Sequence, residues 1–351
     1  MYKDDLKDEN GQLGRLDYIK RGLYLIGWKL FKDLAYKTIP HYSRLGLFCL
    51  YLDFLKCFIR YGAAATDYFE YRFFEKKHIL RKTYITKKHA RHIQQCFNKL
   101  DGVKFVYNKL LFNKEYAEFR DTDYFEFPGT EKSFIDFVIK CNRNIIAKPI
   151  YGFSGCGIYK PDVSTNEKAQ KVYRKHYNDG IYMMEEYFCQ TGILGKINPS
   201  SVNTVRIYTL FDGEKVHVMN TCVRFGAADS IVDNIHGGGM CCEVDEETGV
   251  IISVGVDLVG NKYYKHKASG LYVLGAKVPQ WKRVLDTVLK AALVHPEVGY
   301  VGWDIAVSDE KLTIIEANEV GNIDLPQCCC QRGLKEEYDR ILKIKKSNQN
   351  L

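Results

Sequence analysis

The sequence lacks the features that would mark a membrane-spanning, secreted or fibrous protein. Its most apolar stretch, residues 45–59, is interrupted by Asp53 and Lys56 and falls short of the ~20 residues that a spanning helix needs. The first dozen residues are acidic and polar rather than basic then apolar, so no secretory signal is expected. No low-complexity tract or internal repeat is visible, which argues against repeat architectures. Metal-like cysteine spacing is missing as well. Among twelve cysteines, Cys241-Cys242 and Cys328-Cys329-Cys330 are contiguous, whereas zinc ligands usually stand about two to four residues apart. Reduced thiols in a cytoplasm are the expectation. Aromatic residues at 68–74 precede a basic run at 76–88, but no nucleic-acid module accompanies them. A core-facing aromatic stripe is therefore expected, and no nucleic-acid partner.

What is present fits a globular protein of two or three packed units: 351 residues, 46% of them hydrophobic. The net charge of +8 is unevenly placed. Residues 1–100 hold 20 Lys/Arg against 10 Asp/Glu, and residues 101–351 hold 31 against 33. A basic first segment can meet an anionic membrane surface, a nucleic acid or an anionic substrate, or can simply be a solvated helical face. Peripheral contact with the inner face of a membrane through residues 1–60 is carried forward as an expectation.

Periodicity divides the chain. Leu16, Ile19, Leu23, Ile26 and Leu30 recur at helical steps, and residues 43–61 form a second helix whose apolar residues cover most of its circumference. Strands are expected at 103–107, 144–149, 158–160, 181–186, 205–210, 215–222 and 249–254. Helices are expected at 109–119, 134–141 and 281–294, with a basic helical tail at 335–351. Between two strands lies Tyr151-Gly152-Phe153-Ser154-Gly155-Cys156-Gly157-Ile158. Glycines let backbone N–H groups approach an anion closely, and Lys148 ends the preceding strand; a glycine-rich turn with no ligand is the alternative reading of this stretch. From Gly302 to Asn318 the alternation of Trp303, Ile305 and Val307 with Asp304 and Ala306, then a turn at 308–311, predicts a hairpin. Its pairing brings Asp304 and Glu316 together with Asn318 just beyond: either a set of hard oxygen ligands suited to Mg²⁺ or an ordinary edge hairpin whose acids face water.

In order, these pieces resemble the ATP-grasp superfamily: Lys148-Pro149 and the glycine loop, Met184-Glu185-Glu186-Tyr187-Phe188, Asn203-Thr204-Val205-Arg206, then Trp303-Asp304 and Glu316-Ala317-Asn318. Asp67-Tyr68-Phe69-Glu70-Tyr71-Arg72-Phe73, Asp233-Asn234 and Gly237-Gly238 resemble the sugar-transfer associated branch. The resemblance covers roughly residues 65–335. It implies an α+β fold in which two lobes clasp ATP, preceded by helices: residues 1–80 helical, 81–180 the first lobe, 181–335 the second lobe with the metal site, 336–351 a basic tail. It implies that Lys109 and Lys148 hold ATP phosphates under a mobile loop of Gly152, Ser154, Gly155 and Gly157. Glu185, Glu186 and Phe188 would face adenine, and Gln190 the ribose. Asp304, Glu316 and Asn318 would bind Mg²⁺, and Arg206 would steady the transferred phosphoryl group. Arg224, Asn234 and His236 are the candidates for the acceptor side. Cys156 departs from the pattern, and no nearby His lowers its pKa for a nucleophilic role.

The chemistry implied is ADP-forming carboxylate–amine ligation through an acyl phosphate, on a small-molecule carboxylate with an amine or sugar partner in surface-polysaccharide or related biosynthesis. A kinase on the same fold and a non-catalytic nucleotide-binding subunit are the alternatives.

Overall fold

The computed structural model describes residues 27–152, 155–178, 180–228 and 230–348. The helical periodicity at 16–26 lies outside them. The described chain begins with α1 (Trp28–Thr38), α2 (Arg44–Tyr61), α3 (Ala65–Glu70) and α4 (His78–Arg81). Ser43 caps α2 by accepting from the Gly46 N–H at 3.1 Å, and Gly62 ends it in a left-handed conformation at φ 66°. The aromatic cluster at 68–74 does face the core, with Tyr68, Phe69, Tyr71 and Phe73 packed around Phe31 and Phe54.

Helices α5 (Lys87–Phe97), α6 (Leu100–Tyr107) and α7 (Lys109–Glu115) follow. The expected strand at 103–107 is therefore helical: Val103 and Val106, three apart, both turn inward, and this spacing outweighs the β-branched, aromatic composition that suggests a strand. Helix α7 stops earlier than expected, giving way to a 3₁₀ turn at Ala117–Phe119.

A three-stranded antiparallel sheet then forms in the order β1 (Tyr124–Phe125), β3 (Tyr182–Glu186), β2 (Ile145–Pro149). Helices α8 (Glu131–Lys140) and α9 (Asn166–His176) supply its core, where Phe134, Phe137 and Tyr173 meet Phe125, Ile145 and Met184. The strand expected at 158–160 is reduced to one antiparallel bridge from Tyr159 back to Ala147, so the glycine loop leads from β2 to a single bridge rather than to a second strand.

After α10 (Gly192–Ile197) comes a seven-stranded antiparallel sheet: β10 (Leu312–Asn318), β9 (Tyr300–Val307), β4 (Thr204–Phe211), β5 (Val216–Phe225), β6 (Met240–Glu243), β7 (Gly255–Val256) and β8 (Lys262–Tyr263). Residues 249–254 form only single bridges at Val250 and Ile251 rather than a strand. The fifth position in the sheet belongs to β6, whose glycine-rich lead-in looks like loop. Helix α11 (Trp281–Ala291) covers one face through Trp281, Val284 and Val288. The other face is covered by α5 and α13 (Lys335–Asn348), with α12 (Asp324–Cys330) linking it to the N-terminal helices through Cys328 and Gln327. Strand β9 is therefore buried along its whole length. This is the α+β architecture expected. No described helix is long and apolar enough to cross a membrane.

Candidate active site

Strand alternation builds the site. Val205, Ile207, Trp303 and Ile305 pack on one face of the large sheet, which sends Arg206 and Asp304 to the other. Register sets Arg206 opposite Asp304 on one side and Glu316 opposite Asp304 on the other. A bulge between Ile314 and Glu316 makes the second pairing.

Asp304 is fully buried and holds two arginines. Arg206 donates to it through Nε and, at 2.7 Å, through a terminal nitrogen; Arg224 reaches the same carboxylate at 2.8 Å. Burial pushes the Asp304 carboxyl up, but the two guanidiniums outweigh it and bring it to about 2. Glu316 moves the opposite way: burial first, then Asp304 beside it, raise its pKa. Asn318 Nδ2 lies 3.5 Å from Asp304 and 3.4 Å from Glu316. The three expected metal ligands thus meet.

The small sheet contributes a second buried charge cluster. Lys148 and Glu185 pair across β2 and β3, Arg120 stands 3.3 Å from Glu185, and Asn113 donates to it at 2.8 Å. Burial opposes ionisation of Glu185, and Lys148 and Arg120 overcome it, giving a value of about 2. Lys109 opens α7, whose N-terminus Asn108 caps, and donates to Gly152 O at 2.9 Å. Burial lowers its pKa, Glu316 of the large sheet opposes that, and Lys148 of the small one adds to it. Lys109 therefore lies within electrostatic reach of both clusters.

Gly152, Gly155 and Gly157 all hold positive φ (142°, 74° and 76°), a region that glycine enters without strain. Gly155 sits against Val232, where an added Cβ would come within 3.2 Å, so the loop meets the segment carrying Asp233 and Asn234. Ser154 lies outside the described residues. His236 falls in a 3₁₀ turn, Ile235–Gly237, with Asn234 just before it. Cys156 is exposed.

Several of the expected site residues are engaged by protein partners. Arg206 donates to Asp304 through two nitrogens, and its remaining nitrogen reaches Gly321 O at 3.4 Å. Arg224 is not a free acceptor-side donor: besides Asp304 it holds Thr204 at 2.8 Å and Asp233 at 3.2 Å. The Gln190 amide donates to Asn203 O and Val307 O and accepts twice from Asn203, which leaves it no capacity for a ribose. Glu186 pairs with Lys311 at 2.8 Å, and Phe188 is buried beyond it. Arg120 and Asn113 lie in no recognisable motif, so no sequence signal marks them; Asp233 falls in the Asp233-Asn234 motif, but its aim at Arg224 depends on β5. A cavity of 1020 Å³ lined by Lys196, Thr248, Trp281 and Asp309 contains none of these residues.

No curated protein matches the sequence. Among solved structures, N5-carboxyaminoimidazole synthase from Aspergillus clavatus, in complex with ADP and 5-aminoimidazole ribonucleotide, is similar with a TM-score of 0.40 at 10% identity, over 63% of this chain and 46% of that one. The ATP-grasp ligase PsnB, complexed with a phosphomimetic variant of its minimal precursor, Mg and ADP, gives 0.42 at 11%, over 71% and 61%. The D-alanine–D-alanine ligase from Bacillus anthracis gives 0.42 at 11%, over 75% and 76%. The chain thus spans about half the length of the first of these and three fifths of the second. A family model described as sugar-transfer associated ATP-grasp matches residues 108–343, two thirds of the sequence. The chain belongs to the sugar-transfer associated ATP-grasp family.

Proposed function

We propose that the protein is an ATP-dependent, ADP-forming carboxylate–amine ligase acting in the assembly of cell-surface polysaccharide or a related metabolite. The observation that carries this reading is Lys109, a half-buried ammonium that donates to Gly152 O of the glycine loop at 2.9 Å and has Glu316 of one sheet and Lys148 and Glu185 of the other as its charged neighbours. Two lobes converging cations and carboxylates on one place suit a polyphosphate with a divalent cation. On this reading residues 81–180 and 181–335 are the two lobes, flanked by a helical segment, 1–80, and a basic tail, 336–351.

The residues present fit Mg²⁺. Two carboxylates stand opposite each other across β9 and β10, and burial and then Asp304 raise the cost of charge on Glu316 in a way that a cation between them would relieve; Asn318 adds an amide oxygen once its side chain turns. Mg²⁺, when bound at Glu316, Asn318 and Asp304, would neutralise phosphate charge. Lys109 and Lys148 would meet the phosphates, and glycine-loop N–H groups would close on them. Arg206 and Arg224 would keep Asp304 ionised and oriented. A substrate carboxylate oxygen would attack the γ-phosphorus as the bond to ADP breaks. The amine nitrogen would then attack the acyl carbon, expelling phosphate. Positioning and electrostatics dominate such transfers, which agrees with the absence of a nucleophile–base pair from the assigned residues.

The test is to incubate the full chain with ATP, Mg²⁺ and pooled amino and uronic acids, following ADP and phosphate separately. Equal release of both supports the ligase. ADP without free phosphate makes the protein a kinase, and release of neither leaves a binding subunit.

A further inference from the structure

Helix α2 is apolar on two opposite sides. Leu47, Leu50, Phe54 and Cys57 turn inward and are buried. Leu45, Phe48, Leu52 and Ile59 recur at helical steps on the other side and are 73%, 52%, 43% and 82% exposed. One apolar stripe suffices to dock a surface helix; a second, contiguous and facing water, marks an interaction site. Helical spacing places Arg44 on one flank of the outer stripe and Lys56 and Arg60 on the other, all exposed.

The charge around the stripe is of one sign. Residues 27–100 contain 15 Lys/Arg and 5 Asp/Glu. Arg81 holds Asp53, Arg72 holds Glu75, and Asp67 and Glu70 are buried. Among the described residues Asp33 alone is an exposed acid of this segment without an arginine on it.

At the C-terminal end of α2 the Tyr61 ring stacks on His78 at 5.7 Å, and Arg60 contacts the same imidazole at 3.1 Å. This brings α4 alongside, with Ile79 and Leu80 63% and 51% exposed. Beside it opens a groove of about 530 Å³ lined by Arg60, Arg81, Lys82, Lys88 and Lys335 with three histidines, and by no carboxylate. Asp339, outside the groove, ties back Lys335 and His89. Lys82 and Lys88 have no ion-pair partner among the described residues.

We propose that this side of the N-terminal helices docks on an anionic lipid bilayer. The outer stripe of α2 lies in the headgroup boundary, and the cations of its flanks and of the groove meet lipid phosphates. An apolar stripe between basic flanks is the pattern of an interfacial helix, and each cation near an anionic surface adds to the attraction. The same charges argue against a second copy as the occupant, because stripe-to-stripe packing would bring Arg44, Lys56, Arg60, Lys82 and Lys88 of two copies together. Residues 1–26, with 5 Lys/Arg and 5 Asp/Glu, offer no net charge to complement the groove.

The full chain is sedimented with vesicles of phosphatidylcholine alone and of phosphatidylcholine with phosphatidylglycerol. Binding to the anionic vesicles only, weakening with salt, is expected. Phe48→Glu with Leu52→Glu, both on the water side and so compatible with folding, should weaken partition by at least about tenfold, and Lys82→Glu with Lys88→Glu should do the same. Cys49, exposed beside the stripe, is a native reporter. It should react with a water-soluble maleimide in free protein and be protected on anionic vesicles, as read by peptide mass. No vesicle binding, or equal binding by the folded variants, overturns the proposal. So does a Cys49 already protected without vesicles, which would mean that residues 1–26 cover the stripe. A dimer in solution that Phe48→Glu dissociates would assign the face to a second copy instead.

Discussion

Glu316 faces Asp304 across β9 and β10 because Ile315 is the extra residue of a bulge. The consequence is a carboxyl pair of opposite tendencies, Asp304 held down by two arginines and Glu316 pushed up by burial and by Asp304 itself. Glu316→Gln removes the charge and keeps the shape. Turnover with Mg²⁺ and ATP should fall by at least about a hundredfold, the scale of lost charge stabilisation at a metal site. The ligand-free protein should keep or raise its melting temperature, since a like-charge neighbour of Asp304 is gone. Calorimetry and ADP release read the two effects separately. Near-normal turnover would remove this hairpin from the active site.

Lys148 is a buried partner of Glu185 rather than an ammonium pointing at open solvent. Its replacement by Met should therefore cost stability as well as nucleotide affinity. Breaking a buried pair costs about 3–5 kcal/mol, and Arg120 and Asn113, which still hold Glu185, put the expected loss at the lower end. Combining Lys148→Met with Glu185→Gln should recover only part of it, because the Glu185 charge goes with its partner while the buried Arg120 loses its carboxylate. Denaturant unfolding of the two singles and the double gives the coupling. An uncoupled pair would mean that Glu185 is satisfied without Lys148.

How much of this was legible in the sequence follows from the range of each interaction. The hairpin at 302–318 and the strand ending in Lys148 show in local alternation, and the order of motifs carried the family. The bulge at Ile315 does not show, because its cause is the pairing of Ile314 with Ile305 on one side and Glu316 with Asp304 on the other. The spending of Arg206, Arg224 and Gln190 on protein partners is equally hidden. Arg206 and Asp304 are brought together by the register of β4 on β9, nearly a hundred residues apart in the chain. A residue type at a motif position identifies a family, but its side chain's partner is a property of the sheet.

Asp67, Glu70 and Asp324 surround Lys87 where the N-terminal helices meet α12. Asp67 accepts from Ala64 N–H at 2.8 Å and Lys87 N–H at 2.9 Å, and Lys87 Nζ is 3.3 Å from Asp324. Burial raises Asp67 to about 6, and burial, with Asp324 next, raises Glu70. An acid raised on folding binds its proton where the unfolded chain has released it, so stability falls as pH climbs above the ordinary carboxylate range. Between about pH 5 and 8 the melting temperature of the wild type should decline more steeply than that of Glu70→Gln, and the variant should be the more stable at the upper end. Parallel profiles would show that Glu70 is already ionised in the folded protein.

Arg224 gives the sharpest distinction between positioning and substrate binding. One terminal nitrogen lies 2.8 Å from Asp304, 2.8 Å from Thr204 Oγ1 and 3.2 Å from Asp233, while Nε is 3.2 Å from the same hydroxyl. A lysine keeps the charge but not the planar fork, so Arg224→Lys can hold Asp304 or the Thr204–Asp233 pair and not both. Losing one charge-assisted contact costs about 1.5–3 kcal/mol, which in turnover is roughly ten- to a hundredfold. If Arg224 acts through Asp304, the loss appears in kcat together with weaker Mg²⁺ dependence, and the KM of the acceptor stays the same. Asp233→Asn should then produce a milder version of the same defect, because it loosens Arg224 without freeing Asp304. If instead the acceptor's KM rises while kcat and the Mg²⁺ dependence hold, Arg224 leaves its carboxylates for the substrate, and the buried cluster is a resting arrangement rather than the working one.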